Sequence, residues 1–334
     1  MAYDAFLLLS FGGPEGQEDV LPFLENVTRG RGIPRERLET VAEHYRHFGG
    51  VSPINAQCRA LIEALRPHLD LPIYWGNRNW HPMLADTVRQ MRDDGVQRAL
   101  AFVTSPFGSY SSCRQYLDDI VIACAEVPDA PAIDKIRQYH DHPGYIAPHA
   151  DAVRAALDTL PSRMAARLVF TAHSIPTSMN AASGPGGTGR YLAQLRETAA
   201  LVAAEAAPEL GWDLVWQSRS GPPHVPWLEP DVNDHLEALA KQGVTEVVVS
   251  PIGFISDHLE VIWDLDEEAR ATAGRLGLAF ARAATPGVDP RFVDMIRQLV
   301  DERVLAHSNV RHALGTVPTW DFCPADCCVS PKRA

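Results

Sequence analysis

The chain has 334 residues, of which 46% are hydrophobic and 22% charged, values typical of a soluble globular protein with one large or two medium domains. Its formal net charge of -12 at pH 7 argues against a nucleic-acid-binding protein. No apolar run approaches the length that crosses a bilayer, and the first residues lack the basic region of a signal peptide. We therefore expect a cytoplasmic protein with no stable membrane insertion.

Strands and helices alternate along the first half of the chain. Apolar runs predict strands at residues 5–11, 71–75, 99–103 and 133–139, with helices at 19–25, 34–46, 81–92 and 114–125. Gly12 and Gly13 follow the first strand, but Pro14 interrupts that turn and no G-x-G-x-x-G motif follows, which argues against a nucleotide cofactor. Between the first two helices, Arg29 and Arg31 indicate either a solvated loop or a site for anionic groups such as carboxylates.

The second half of the chain repeats this alternation. It predicts strands at residues 167–171, 214–217, from 247 onward and 279–281, with helices at 148–160, 191–206, 231–242 and 290–306. Two such series indicate an α/β fold with two domains, each a doubly wound parallel sheet. We place the domains at residues 1–145 and 146–306, followed by a C-terminal extension at 307–334, and expect the ligand in their shared cleft.

One segment, residues 247–269, combines a buried strand with a charged helix. Ser256 and Asp257 are suited to cap this helix, because their side-chain oxygens can accept its first free N–H groups. Carboxylates then recur at i, i+4 and i+8, as Glu260, Asp264 and Glu268. Like charges at this spacing repel. The stripe is therefore either a solvated acidic face or a path for cations at the edge where α/β sheets bind ligands.

A histidine follows another predicted strand. His173 lies in the polar turn TAHSIP at residues 171–176, and His258 lies beside the carboxylate stripe. A lone histidine is more often structural than catalytic. His173 and Glu260, however, each follow a strand at the edge where ligands bind. If they face each other, the imidazole and the carboxylate form a pair that can accept protons and bind a divalent metal.

Six segments, in order along nearly the whole chain, together resemble the ferrochelatase family. They are LSFGGPE (9–15), YRHFGGVSP (45–53), TAHSIP (171–176), QSRSGP (217–222), WLEP (227–230) and PIGFISDHLE (251–260). The resemblance implies a chelatase-like fold of two Rossmann-like domains around a porphyrin cleft. It also implies a lyase that inserts ferrous iron into a porphyrin in haem biosynthesis. His173 and Glu260 are then catalytic metal ligands that face each other across the macrocycle, and Asp264 and Glu268 form the route for iron.

The resemblance extends to one branch of the family. Residues 27–45 are short and charged where mitochondrial members carry an apolar lip, so the chain is similar to the soluble bacterial branch that uses coproporphyrin III. This implies coproheme as the product, a downstream coproheme decarboxylase as a partner, and a monomer. Phe11 stands where some members have a tyrosine that touches the iron, and a phenylalanine cannot ligate metal. The substrate-binding residues implied are Phe11, Arg29, Arg31, Tyr45, Arg46, Ser52, Tyr110 and Trp227.

Other functions remain open at this stage. The porphyrin can be protoporphyrin IX, or the enzyme can insert cobalt or nickel into a related tetrapyrrole. A non-catalytic porphyrin or haem carrier is a third alternative, although a carrier has no need of a carboxylate stripe. An iron–sulfur redox protein is a fourth, but its cysteines lie in the tail and the predicted cleft has no electron-transfer motif.

Six cysteines in a cytoplasmic protein need an explanation other than structural disulfides, since that compartment keeps thiols reduced. Three of them lie in the tail, at Cys323, Cys327 and Cys328. A four-ligand site needs one more thiolate. The resemblance implies that Cys113 is the fourth ligand and that the site holds a [2Fe–2S] cluster; a zinc knot and an unligated tail are the alternatives. Cys58 and Cys124 lie in apolar helix patterns and are expected to be buried thiols.

Overall fold

The structure is a computed structural model that describes residues 2–30, 32–222, 224–305 and 311–330. Arg31, one of the residues expected to bind anionic groups, lies outside the described residues. Chain contacts divide the protein into two compact units, each with one sheet. Among the residues described, no helix combines the length and the apolar character needed to span a bilayer.

The first unit holds a four-stranded parallel sheet. Its strands are β1 (Ala5–Ser10), β2 (Ile73–Asn77), β3 (Arg98–Val103) and β4 (Ala132–Lys135), in the order β2-β1-β3-β4. Its helices are α1 (Gln17–Val27), α2 (Arg35–His47), α3 (Ile54–Leu65), α4 (Leu84–Asp93) and α5 (Gln115–Ala125). All six residues of the central strand β1 are buried, as its unbroken apolar run predicts. Leu7 and Leu9 share one core cluster with Val88 and Met91 of α4.

The second unit holds a second four-stranded parallel sheet. Its strands are β5 (Ala166–His173), β6 (Trp212–Gln217), β7 (Glu246–Ser250) and β8 (Ala279–Arg282), in the order β6-β5-β7-β8. Its helices are α6 (Pro143–Leu157), α7 (Thr177–Ala181), α8 (Arg190–Ala206), α9 (Val232–Lys241), α10 (Leu259–Val261), α11 (Arg270–Leu276) and α12 (Pro290–Val304). Two π-helical segments, Tyr110–Arg114 and Ile262–Ala269, precede α5 and α11. Val249 of β7 packs with Val261 and Leu265 in the core.

The predicted α/β fold with two parallel sheets is confirmed, because every predicted strand is present. Several element boundaries differ from the prediction, two of them by four residues or more. The strand predicted at 133–139 ends at Lys135, and beyond it the buried Arg137 guanidinium binds the Glu302 carboxylate at 2.7 and 2.9 Å. The helix predicted from residue 148 begins at Pro143, because the His142 ring accepts the Gly144 N–H at 3.0 Å and caps it there.

The predicted domain boundary at residue 145 stays a prediction. Chain contacts place residues 105–115 and 137–302 with the second sheet. The loop that carries Tyr110 and Cys113 therefore groups with that sheet rather than with β3, which it follows in sequence.

Candidate active site

The carboxyl ends of three neighbouring strands form one edge of the second sheet. Strand β5 ends in His173, β6 is followed by Ser218, and β7 leads through a turn into α10, which carries Glu260. Because β6 and β7 both pair with β5 in parallel, the residues after each strand lie at the same edge. This edge holds every catalytic residue that the sequence predicted.

The structure brings His173 and Glu260 together. The Nε2 atom of His173 lies 3.9 Å from Oε2 of Glu260. The other ring nitrogen, Nδ1, lies 2.5 Å from the carbonyl oxygen of Ser174, which can only accept a hydrogen bond. Nδ1 therefore carries the proton, and the lone pair of a neutral ring is on Nε2, toward the carboxylate.

The 3.9 Å separation between these side chains differs from the expected placement across a macrocycle. A planar ring needs about 3.5 Å of carbon–carbon distance on each of its faces, so about 7 Å is required between two groups that sandwich it. His173 and Glu260 can therefore address only one face of a ring in this arrangement.

Asp264 lies one helical turn beyond Glu260 and is held by two side chains. The Ser218 hydroxyl donates to its carboxylate, and Gln217 Nε2 donates to it at 3.3 Å. Burial raises the pKa of Asp264 to about 7; the Ser218 hydrogen bond opposes this effect, and the charges of Glu260 and Glu268 add to it. The charges of the other two carboxylates of the predicted stripe thus act on Asp264.

Ser218 has a left-handed backbone conformation, with φ of 60°, which is uncommon for a residue other than glycine. Such conformations cost free energy and persist where the surrounding structure enforces them. At this position Ser218 directs its hydroxyl to Asp264. Neither Ser218 nor Gln217 was predicted as a site residue, and the only sequence signal was their place in the QSRSGP segment directly after a strand.

Two of the three carboxylates of the stripe, Asp264 and Glu268, lie on a π-helical segment, whereas Glu260 lies on the short helix α10 before it. Residues Ile262–Ala269 have the wider i to i+5 hydrogen-bond pattern, which is rare and frequent at functional sites. Glu268 is exposed, and its Oε1 accepts the indole N–H of Trp263 at 3.0 Å. Asp257 does not cap α10 as expected, because its carboxylate binds the Arg282 guanidinium at 3.0 Å.

Comparisons with known proteins identify the family of the chain. Residues 3–304 match the Ferrochelatase family. The chain belongs to this family. A protein of Nocardia farcinica called coproporphyrin III ferrochelatase is 56% identical, covering 100% of this chain and 98% of the relative. Proteins with the same description from Streptomyces griseus and Mycolicibacterium smegmatis are 52% and 57% identical and cover 99% and 90% of this chain.

Solved chelatase structures share the fold. SirB from Bacillus subtilis with Fe3+ aligns with a TM-score of 0.54 at 13% identity, covering 93% of this chain and 99% of the other. The sirohydrochlorin chelatase SirB from Bacillus subtilis subspecies spizizenii in complex with cobalt aligns with a TM-score of 0.51 at 10% identity.

In this member of the ferrochelatase family, aromatic residues surround the end of β1 in the first unit. Phe11 is 36% exposed and packs edge-on against Phe23, with ring centroids 6.2 Å apart. Tyr45 and Trp80 pack against the same Phe23 ring at 5.9 and 6.2 Å. The Arg78 guanidinium lies over the Phe11 ring at 5.8 Å. Phe11 and Tyr45 were predicted, whereas Phe23, Trp80 and Arg78 were missed because they lie in helix and turn patterns without a motif.

The polar residues predicted to bind substrate in the first unit differ in their exposure and in the partners that they already bind. Arg46 is bound by two carboxylates of its own helix, Glu39 at 3.1 Å and Glu43. Arg29 is exposed in the loop after α1. Ser52 is buried, and its N–H donates to the carbonyl of Pro14. The charge of Arg46 is therefore already compensated, which weakens its predicted role with substrate carboxylates.

Two further predicted substrate residues, Tyr110 and Trp227, belong to the second unit. Tyr110 is half-buried at the start of a π-helical segment that Ser109 caps by accepting the Ser112 N–H at 3.1 Å. The Trp227 ring packs against Gly221 so closely that a Cβ at that glycine would lie 2.4 Å from it. The indole N–H of Trp227 is buried without a hydrogen-bond acceptor among the described residues.

The four predicted cluster cysteines all belong to the second unit. The sulfurs of Cys327 and Cys328 lie 3.7 Å apart, and Cys323 is hydrogen-bonded to Cys327. Cys328 accepts the Gly184 N–H at 3.2 Å. Cys113 lies in the π-helical segment before α5 and accepts the side-chain N–H of Gln138, from the loop after β4, at 3.0 Å.

A separate compact group of possible metal ligands lies beneath the extension. Among the described residues, it is the one set of three or more His, Cys, Asp and Glu ligand atoms within 4.8 Å of one another, and it consists of His140, Asp141 and Glu197. Glu197 accepts from His140 at 3.0 Å and from the N–H groups of Thr316 and Val317. Burial opposes ionisation of Glu197, but these hydrogen bonds lower its pKa to about 2. The group therefore holds the extension by hydrogen bonds.

Proposed function

We propose that this protein inserts ferrous iron into coproporphyrin III and so produces coproheme in haem biosynthesis. The observation that carries the proposal is the His173–Glu260 pair, with the Nε2 lone pair directed to a carboxylate 3.9 Å away at the ligand-binding edge of the sheet. Three relatives described as coproporphyrin III ferrochelatases are more than half identical over nearly the full chain, which supports the choice of porphyrin.

The reaction exchanges two pyrrole protons for one Fe2+ ion. A pyrrole N–H loses its proton to a base within hydrogen-bond reach, and the Nε2 atom of His173 is a base with its lone pair free. The His173 side chain is 34% exposed, so it can pass the first proton to water and then accept the second. Glu260 supplies a negative charge beside it, which stabilises the imidazolium that forms and attracts Fe2+. Because both groups can address only one face of a ring, we propose that His173 and Glu260 work together on that face.

The carboxylate stripe is the proposed route for iron toward this pair. Oxygen ligands that are partly hydrated suit divalent ions in transit. A carboxyl group with a pKa of about 7, such as Asp264, exchanges its proton for a metal ion near neutral pH at little cost. Glu268 is exposed at the far end of the stripe, where iron can enter from solvent. A carrier without catalytic activity has no use for such a route.

An anaerobic assay tests the proposed function. Purified protein is mixed with Fe2+ and either coproporphyrin III or protoporphyrin IX, and metal insertion is followed by the change in porphyrin absorption. We expect a higher kcat/KM for coproporphyrin III. Binding of both porphyrins without insertion would support a carrier instead, and insertion of Co2+ or Ni2+ alone would support a different chelatase.

We also propose that Cys113, Cys323, Cys327 and Cys328 ligate a [2Fe–2S] cluster. A tetrahedral zinc site needs all four sulfurs within about 3.8 Å of one another. Among the described cysteines, no three sulfurs all lie within 4.8 Å of one another. A cluster with two irons requires only pairs at that spacing, such as Cys327 and Cys328 at 3.7 Å. When bound, the cluster would join the tail to the π-helical segment before α5 through iron–thiolate bonds.

Two variants test this ligand set. Visible absorption and EPR after reduction are recorded for anaerobically purified wild type, Cys113→Ser and Cys124→Ser. Cys124 is a half-buried thiol on α5 and serves as the matched control. We expect loss of the cluster and a lower melting temperature in Cys113→Ser alone. Stoichiometric zinc in wild type would contradict the cluster, whereas a full cluster in Cys113→Ser would contradict only that ligand.

We place the reaction in the cytoplasm, carried out by a monomer. Coproheme retains the four propionates of its precursor, so an enzyme that removes carboxyl groups must act on it before protohaem forms. A coproheme decarboxylase is therefore the proposed downstream partner.

A further inference from the structure

An arginine at the first position of α8 is buried without an acidic partner. Arg190 is 6% exposed, and within the described ranges no carboxylate forms an ion pair with it. One of its Nη atoms donates to the carbonyl of Pro318, its guanidinium stacks on the Trp320 ring at 4.0 Å, and its Nε has no acceptor. A buried guanidinium stays charged, so a negative group is needed nearby to offset the cost of burial.

The side chain of Arg190 lies close to two glycines whose surroundings include thiols. A Cβ at Gly184 would lie 2.9 Å from Arg190 Nε, and the Gly184 N–H donates to Cys328 at 3.2 Å. A Cβ at Gly108 would lie 3.2 Å from Arg190 Cδ and 3.5 Å from Gln138 Nε2. That amide nitrogen donates to Cys113 at 3.0 Å.

The electrostatics agree with this placement. Burial lowers the pKa of Arg190, and the four largest effects that oppose it come from thiols. They are Cys327, Cys328, Cys323 and Cys113, the same four residues proposed as cluster ligands.

We propose that Arg190 is the positive counter-charge of the four-cysteine site and stabilises the more negative, reduced form of its cluster. The inference rests on the proposed [2Fe–2S] cluster. Four thiolates and two sulfides outweigh the charge of two ferric ions, and one-electron reduction adds a further negative charge. A buried cation near such a centre stabilises the reduced form more than the oxidised form, so it raises the reduction potential.

Arg190 has a second possible role that must be separated from this one. Its contacts with Pro318 and Trp320 hold the extension, and losing them could disturb the site mechanically. Arg311 offers a matched control, because it also bonds the extension, donating to the Thr319 carbonyl at 2.7 Å. No thiol is among the largest influences on the pKa of Arg311, which are burial, Arg137 and three carboxylates.

The test is a reduction titration with dithionite, followed by EPR, of anaerobically purified full-length protein. Wild type is compared with the neutral variants Arg190→Gln and Arg190→Met, the charge-retaining Arg190→Lys, and the control Arg311→Gln. We expect a more negative reduction potential in both neutral variants, a smaller shift in Arg190→Lys, and no shift in Arg311→Gln. A wild-type potential in the neutral variants would overturn the inference.

Loss of the cluster in the variants is also informative. If neither neutral variant retains it but Arg190→Lys does, a positive charge is required and the inference stands. If Arg190→Lys loses it as well, the contacts of the guanidinium with the extension are what matter, and the inference is wrong. If wild type itself holds no iron–sulfur cluster, both the proposed cluster and the role of Arg190 are wrong. If the neutral variants hold the cluster at an unchanged reduction potential, only the role of Arg190 is wrong.

Discussion

At the scale of single residues, the chemistry of His173 depends on contacts made by its own turn. The Ser174 carbonyl fixes the proton on Nδ1, and the Tyr191 hydroxyl donates to the backbone carbonyl of His173 at 2.8 Å. The first contact orients the ring so that Nε2 is directed to Glu260, and the second holds the backbone that carries it. The position of His173 at a strand end could be predicted from sequence, but its tautomer could not, because a turn of the backbone determines it.

Replacing His173 by alanine should nearly abolish iron insertion. Losing a proton acceptor typically costs about 10²–10⁴-fold in rate, while the rest of the porphyrin site is unchanged. We expect that loss in kcat for His173→Ala, with porphyrin binding retained in a fluorescence titration. His68→Ala, at an exposed histidine, should keep wild-type activity. A kcat near wild type in His173→Ala would exclude it as the base.

Asp264 makes stability depend on pH. Its folded-state pKa is about 7, raised by burial from an ordinary value of 3.8. Between these values the folded protein keeps a proton that the unfolded chain has released, so the native state binds more protons. The free energy of unfolding therefore falls as pH rises through this window, and the loss is complete above pH 7.

Asp264→Asn removes this titration. Relative to wild type, the variant should gain stability progressively between about pH 4 and pH 7 and keep that gain at higher pH. Denaturant unfolding of chelator-treated protein at several pH values measures the difference. Glu268→Gln removes one of the charges that add to the raised pKa of Asp264, so it should show only a smaller gain of the same kind. A difference between Asp264→Asn and wild type that is constant with pH would contradict the raised pKa.

At the scale of elements, the carboxylate stripe was predictable but its helix type was not. A spacing of four residues keeps side chains nearly aligned both in an α-helix and in the wider turn of a π-helix, so the sequence pattern does not distinguish them. The predicted capping of α10 by Asp257 is wrong for a different reason. Asp257 has a good capping side chain, but its partner Arg282 lies 25 residues further along the chain and competes for it.

The carboxylates of the stripe should form a gradient in their effect on kcat, with Glu260 essential and Glu268 dispensable. Glu260 contacts the His173 side of the site, whereas Glu268 is exposed and bound to Trp263. We expect Glu260→Gln to lower kcat and Glu268→Gln to raise only the KM for iron. Glu267→Gln, at an exposed neighbour, is the control. Steady-state kinetics at varied Fe2+ measure both effects, and equal losses of kcat in the two variants would contradict the gradient.

At the scale of the whole molecule, two parallel sheets could be predicted because each strand is a short apolar run between helices. The attachment of the extension could not. Glu197 holds the N–H groups of residues more than a hundred positions away, and Arg137 pairs with Glu302 across 165 positions. No local pattern encodes such pairs. The same is true of Arg190, whose sequence neighbours give no sign that it lies among thiols.

Substrate preference should depend on exposed charge in the first unit. Solvent-exposed ion pairs contribute at most about 1 kcal/mol, which is about fivefold in binding. Arg29→Gln should therefore lower kcat/KM for coproporphyrin III by at most about fivefold, and less at high salt. Arg46→Gln should have a smaller effect, because Glu39 and Glu43 already compensate that charge. Equal losses in the two variants would show that Arg46 also binds substrate.

The measurement that tests the proposed reaction most directly is the anaerobic rate of Fe2+ insertion into coproporphyrin III in four proteins. These are wild type, His173→Ala, Glu260→Gln and the double variant, each first shown to bind the porphyrin. Residues that act as one unit are not additive in their effects on rate. We expect wild type to insert iron. We expect the insertion rate of the double variant to be no lower than that of the slower single variant. Porphyrin binding without insertion in wild type, or a double variant with the wild-type rate, would contradict the proposed function of this site.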